Sequence, residues 1–113
     1  MNVALFVPCY VEHLQPEVAL ATARLLRRLG HTVHAPRGQT CCGQPAFNAG
    51  RREVARVAAR RFLRLFGRAL DEGAEAIVCP SGSCAAMVKL HYPELALTEP
   101  ELRLHARVAP AVY

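Results

Sequence analysis

The chain has 113 residues, 52% hydrophobic and 20% charged, with no internal repeat or low-complexity stretch, which suits one compact domain around a single core. No apolar run approaches the length of a membrane span, and the first eight residues lack the basic start and longer apolar core of a secretory signal, so a cytoplasmic protein is expected. The net charge of +5 comes from thirteen arginines and one lysine. Arg51, Arg52, Arg56, Arg60, Arg64 and Arg68 fall in one segment without interleaved aromatics, which favours a solvated helix face over a nucleic-acid surface.

In chain order, Val3 to Val7 is a short apolar run ending at Pro8-Cys9, as expected for a buried parallel strand. A helix follows, with Pro16 near its first position, Val18, Thr22, Leu25, Leu26 and Leu29 repeating on one face, and Gly30 closing it. His31 to Ala35 reads as a second strand, and Pro36 to Gly50 as a loop. A long helix is predicted from about Arg51 to Asp71, with Val54, Ala58, Phe62, Leu65, Phe66 and Ala69 inward and Gly73 stopping it. Ala74 to Val78 is the third strand. Ser81 or Ser83 can cap a helix running from near Cys84 towards Leu90, before Pro93 breaks it. Strands alternating with helices predict a three-layer α/β fold, a parallel sheet with helices on both faces, of the Rossmann/flavodoxin-like half-unit type.

Five cysteines punctuate this pattern: Cys9 after the first strand, Cys41 and Cys42 in the loop after the second, and Cys79 and Cys84 around the turn after the third. In a parallel sheet those loops leave one edge, where open α/β folds bind ligands. Cys84 would lie near a helix N-terminus that favours the thiolate. A reducing compartment disfavours structural disulfides, five is an odd number, and a Cys41–Cys42 bridge would need a strained ring, so metal binding or redox chemistry is the better use of the sulfur. Cys79 is the weakest member of the set, since its place at a strand end also suits a core residue.

Three chemistries compete for such a set. An iron–sulfur cluster takes thiolate ligands, and four at one rim suffice for a [4Fe-4S] centre. Zinc would take four thiolates in a closed site and make the chain a structural or interaction module, although adjacent Cys41 and Cys42 are awkward as a zinc pair. A thiol/disulfide redox protein would use Cys9 or the vicinal pair. A phosphatase-type loop needs an arginine six positions after its cysteine, where Cys9 has Gln15, and there is no Cys-x-x-Cys motif. The histidines His13, His31, His34, His91 and His105 form no pair with metal-ligand spacing and read as surface residues, with His13 closest to the rim. No glycine-rich turn follows the first strand, so a bound nicotinamide or flavin is not expected. No residue suits proton abstraction from a hydroxy acid.

The first-strand Cys9, the long gap to Thr40-Cys41-Cys42-Gly43-Gln44-Pro45-Ala46-Phe47-Asn48 and the turn Pro80-Ser81-Gly82-Ser83-Cys84-Ala85 resemble the cysteine-rich CCG domain. That domain occurs in the cysteine-rich chain of heterodisulfide reductase, the glycolate oxidase iron-sulfur subunit and lactate-utilisation protein A, and the wording of the motifs is nearest the last branch. The resemblance covers nearly the whole chain and implies one cysteine-rich domain over residues 1–113, of the two that family members carry in tandem. It further implies an iron–sulfur, electron-transfer component of a lactate or glycolate oxidation complex, with a ferredoxin-like iron–sulfur or flavin subunit as partner and no complete reaction of its own. Its ligands would be Cys9, Cys41, Cys42 and Cys84, with Gly43 letting the backbone come close to the cluster and Pro45 stiffening the loop. Ser81 stands where heterodisulfide reductase has the first cysteine of a Cys-x-x-Cys, leaving Cys79 as the sulfur that could replace it. The chain stops at Val112-Tyr113, about where the connection to a second domain would begin, so a truncated or split form, or a homodimer restoring the missing half, is expected.

Overall fold

The computed structural model describes residues 1–8, 11 and 14–113; Cys9, Tyr10, Glu12 and His13 lie outside the described residues. Three short parallel strands, β1 (Asn2–Leu5), β2 (Thr32–His34) and β3 (Ala76–Val78), form a sheet in the order β2-β1-β3. The register pairs Val3 with Val33 on one side and with Ala76 on the other. Helix α1 (Pro16–Arg28) joins β1 to β2 and packs along β2. The return from β2 to β3 carries a one-turn helix, α2 (Gln44–Asn48), and the long helix α3 (Arg52–Asp71). After β3 come α4 (Gly82–Ala86), a π-helical turn over Met87–His91, a 3-10 turn over Tyr92–Leu95, α5 (Glu99–Val108) and a last 3-10 turn over Ala109–Ala111.

Alternation along β1 sends successive side chains to opposite faces. Ala4 and Phe6 join the main core with Ile77, against Ala55, Ala59, Phe62, Leu63 and Phe66 of α3. Val3 and Leu5 are equally buried and lie outside that core cluster, on the other face of the sheet. Phe6, Phe62 and Phe66 interlock, with ring centroids 4.9 Å apart for Phe6–Phe62 and 4.5 Å for Phe62–Phe66. Each such ring contributes about 1.5–3 kcal/mol by leaving water.

The α/β architecture is as predicted, and the differences have physical causes. The buried stripe of α3 runs through Ala55, Ala59, Phe62, Leu63, Phe66, Gly67 and Ala69, so Val54 is half exposed at 49%, while Ala58 and Leu65 are only partly covered. In α1 only Ala23 is fully buried; Leu25 and Leu29 face solvent, because three strands are too narrow for the helix to hide its whole apolar face. The stretch expected as a loop contains α2. Helix α5 follows a segment with no expected element, although Thr98-Glu99-Pro100-Glu101 is a capping box: the Thr98 amide donates to Glu101 Oε1 at 2.7 Å and the Glu101 amide donates to Thr98 Oγ1 at 3.4 Å. His105, expected at the surface, is buried, with Nε2 donating to the Val88 carbonyl at 2.7 Å.

The arginines are not simply a solvated face either. Arg52 donates to the Glu94 carbonyl at 2.9 Å, Arg56 to the Leu95 carbonyl at 2.6 Å and Arg60 to Glu101 Oε2 at 2.5 Å, so three successive turns of α3 hold the 92–101 segment. The end of the chain closes the sheet: the Tyr113 amide donates to the Ile77 carbonyl at 2.8 Å, and the Cys79 amide donates to the Tyr113 carbonyl at 2.9 Å.

Partial burial raises the Glu101 carboxyl, but the Thr98 amide and hydroxyl and the Arg60 guanidinium outweigh it and hold the group below the usual carboxylate range. Its contribution is therefore complete above the unfolded value of about 4.3 and is lost as pH falls through the lower folded value. Urea unfolding should show Glu101→Gln less stable than the parent at neutral pH, with the gap closing below about pH 4; a gap unchanged into acid would contradict this role.

Candidate metal centre

The three parallel strands end at Leu5, His34 and Val78, so the loops leaving them share one edge. The chain passes from β1 outward to β2 and then back across β1 to β3, which puts the topological switch between β1 and β3. Cys79 is the first residue beyond β3, Cys84 sits one turn into α4, and Cys41 and Cys42 end the loop before α2. Cys42, Cys79 and Cys84 are buried and Cys41 is half buried, all four as free thiols. Cys9 and His13 lie outside the described residues.

The Cys84 sulfur is flanked by those of Cys42 and Cys79. Donation from the Cys42 thiol, then from the Cys79 thiol, and then from the Ser81 and Ser83 hydroxyls drives the Cys84 pKa far below the ordinary thiol value, against its burial. The same contacts push Cys42 and Cys79 up, with burial adding to the rise. Cys84 lies in the first turn of α4, as expected. Cys41 and Cys42 each receive a backbone donor two residues on, Gly43 N to Cys41 Sγ at 3.3 Å and Gln44 N to Cys42 Sγ at 3.5 Å.

Local structure explains these positions. Gly43 has φ +96° and begins α2, and a Cβ there would stand 3.1 Å from the Ala55 carbonyl oxygen and 3.4 Å from the Ala58 Cβ. The close approach that needs glycine is to α3. Pro45 occupies an exposed place in the first turn of α2, where its missing N–H costs nothing. Ser81, rather than Ser83, caps α4, its Oγ accepting from the Cys84 amide at 3.4 Å. The Cys79 sulfur also lies 3.5 Å from the Ser81 carbonyl oxygen, within the same turn.

Two residues with no expected role hold the cysteine loop in place. Gln39 mimics a neighbouring strand: its Nε2 donates to the Leu5 carbonyl and its Oε1 accepts from the Val7 amide, each at 2.8 Å. Tyr92 is fully buried, edge-on to Phe62 at 5.9 Å, and donates its hydroxyl to the Cys42 carbonyl at 2.8 Å. Burial first, with the adjacent cysteines from Cys42 onward adding to it, pushes the phenol well above its ordinary value and keeps it a donor. Tyr-Pro after an apolar helix carries a weak signal of burial; Gln39 carries none, because its function arises only once β1 lies beside it.

Among the described residues no group of three His, Cys, Asp or Glu side chains is already arranged as a metal-binding site. The donor set nevertheless fits a soft metal or an iron–sulfur cluster: adjoining sulfurs, with backbone N–H groups on two of the four. Tyr92→Phe leaves the Cys42 carbonyl buried without its donor and should cost about 1–3 kcal/mol by denaturant unfolding. Gly43→Ala meets both a left-handed backbone and the α3 carbonyl, and should cost a similar 1–3 kcal/mol or so; a stability equal to the parent for both would mean that the loop is not held as described.

The profile of the cysteine-rich domain family CCG matches residues 3–89. Over its whole length the chain is 47% identical to lactate utilization protein A of Anoxybacillus flavithermus and 44% identical to that of Geobacillus kaustophilus, in each case covering 45% of the relative. It is 48% identical, over 88% of its length, to lactate utilization protein A of Bacillus licheniformis, covering 40% of that protein. The chain thus spans less than half the length of these curated relatives. No solved structure matches it.

Proposed function

The chain belongs to the cysteine-rich CCG domain family, and from that membership we propose that it is an iron–sulfur, electron-transfer component of lactate utilisation, a 2-hydroxy-acid oxidation. The observation that carries the reading is the meeting of Cys42, Cys79 and Cys84, from loops after two different strands, at the edge where a parallel sheet binds ligands. Cys9, Cys41, Cys42 and Cys84 are assigned as ligands of a [4Fe-4S] cluster, with Cys79 as the fifth sulfur beside Cys84, in the role left open by Ser81. A bound cluster would supply one-electron transfer.

The chain's own residues prepare the place. Gly43 and Gln44 present N–H groups to the Cys41 and Cys42 sulfurs, and Ser81 and Ser83 add hydroxyls at Cys84. Tyr92 and Gln39 hold the Cys41-Cys42 loop against β1 and the aromatic core, which fixes the backbone that carries those two sulfurs. Burial of Cys42, Cys79 and Cys84 excludes water from most of the donor set. The protein acts in the reducing cytoplasm as one cysteine-rich domain over residues 1–113, of the two usual in the family. Its partners are a ferredoxin-like iron–sulfur or flavin subunit of the same oxidation system, or a second copy of the chain.

The test is the iron, zinc and acid-labile sulfide content, with visible and EPR spectra, of protein purified without oxygen and after reconstitution. Near-stoichiometric iron and sulfide are expected, falling to background in Cys42→Ser and Cys84→Ser, whereas Cys79→Ser keeps its iron with an altered spectrum. Equal iron in the Cys42→Ser protein would refute the ligand assignment, and zinc alone would replace the reading with a closed structural site.

A further inference from the structure

Helix α3 carries a second line of arginines. Arg61, Arg64 and Arg68 lie at intervals of three and four residues, which puts them on one side of the helix. With Arg37 from the loop after β2 they form a set of four exposed guanidiniums that make no hydrogen bond or ion pair among the described residues, unlike Arg52, Arg56 and Arg60. Two adjoining shallow recesses, of about 200 and 190 Å³, run between them and share Leu65 and Arg68. Glu72 is the one acid on their walls. A third recess, of about 270 Å³, continues from Pro36, Arg37 and Gly38 to Gln39 and Val7, at the carboxyl end of β1. The basic face therefore leads directly to the loop that ends in Cys41 and Cys42.

We propose that this face docks an acidic protein surface and brings it up to the thiol rim, a step that rests on the electron-transfer function above by naming the chemistry of its partner. Four unpaired guanidiniums around an apolar floor of Leu65, Pro36 and Ala69 match a carboxylate-bearing protein patch: arginine binds carboxylates in a fork, and interfaces are enriched in it. His34 is the one aromatic ring lining the three recesses, with no Phe, Tyr or Trp beside it, so successive nucleic-acid bases have no row of rings to stack on. The recesses are open and their donors spread over two turns of helix, which suits a broad surface rather than one small anion. Opposite charge on the two faces would speed encounter and orient the partner with its redox centre towards the cysteines.

The probe is a fluorescein-labelled polyglutamate peptide, followed by anisotropy across a potassium chloride series, on both metal-free and reconstituted protein. The parent should bind with an affinity that falls as salt rises, and the triple variant Arg61→Glu, Arg64→Glu, Arg68→Glu should bind roughly tenfold or more weakly. The same reversal at the exposed Arg24, Arg27 and Arg28 of α1 alters net charge equally and should change binding much less. On the parent, a nitroxide-bearing peptide should broaden the amide signals of Arg37, Gly38 and Gln39 before those of α1. Equal losses from the two triple variants, broadening centred elsewhere, or tighter binding of a DNA duplex than of the peptide at the same salt would each overturn the proposal. Peptide binding needs no metal, so a chain that binds at this face yet takes up no iron would keep the docking surface while losing the electron-transfer reading.

Discussion

The buried hydrogen bond from the Tyr92 hydroxyl to the Cys42 carbonyl joins the core of this protein to its sulfur chemistry. On one side Tyr92 belongs to the aromatic stack that fills the space between β1 and α3, through Phe62, Phe66 and Phe6. On the other it fixes the peptide that follows the two adjacent cysteines. A hydroxyl and a carbonyl this deep must satisfy each other, because water does not reach them, and so the loop cannot shift without uncovering both. The cysteine loop therefore inherits the rigidity of the core although it has little regular structure of its own.

Helix α3 is the second constraint, and its small residues matter as much as its large ones. The Ala55 and Ala58 surface accepts Gly43 at backbone distance, while Gly67 lets Leu104 of α5 come so near that a Cβ would stand 2.9 Å from the Leu104 Cδ1. The phenylalanines on the same helix carry the sheet. One element thus seats the sulfur loop, the sheet and the C-terminal helix, and its arginines divide accordingly. Arg52, Arg56 and Arg60 hold the polypeptide that follows α4, and Arg61, Arg64 and Arg68 face solvent.

The sulfur trio depends on these arrangements. Where three thiols adjoin away from water, the contacts that lower Cys84 are the same ones that raise Cys42 and Cys79. Cys79, whose place at a strand end left it between a core residue and a ligand, is drawn into this set because its amide is held by Tyr113 and its sulfur lies beside the Ser81 carbonyl. The segment that fixes Cys79 comes from the far end of the chain, with no local signal that the two would meet.

The order of the strands, the two long helices between them and the parallel sheet were legible in the sequence, as was the placing of Cys41, Cys42, Cys79 and Cys84 after the second and third strands. They follow from local apolar runs, helical periodicity and the glycines and prolines between them, and those properties act over a few residues. The capping box of Thr98 and Glu101 was equally local and readable, though no helix was expected after it. Which apolar side chains are covered was not legible: Leu25, Leu29 and Val54 fit a helical stripe as well as their buried neighbours do, and only the width of the sheet and the path of the C-terminal segment decide which face is hidden. The same holds for Gln39 and Tyr92, ordinary residues by composition whose partners lie 34 and 50 positions away. Sequence by itself determined that the thiols fall at strand ends, because the apolar runs and the cysteines that follow them are a local pattern. Tertiary structure decided which sulfurs adjoin and which arginines remain free, because those are outcomes of contacts between segments distant along the chain.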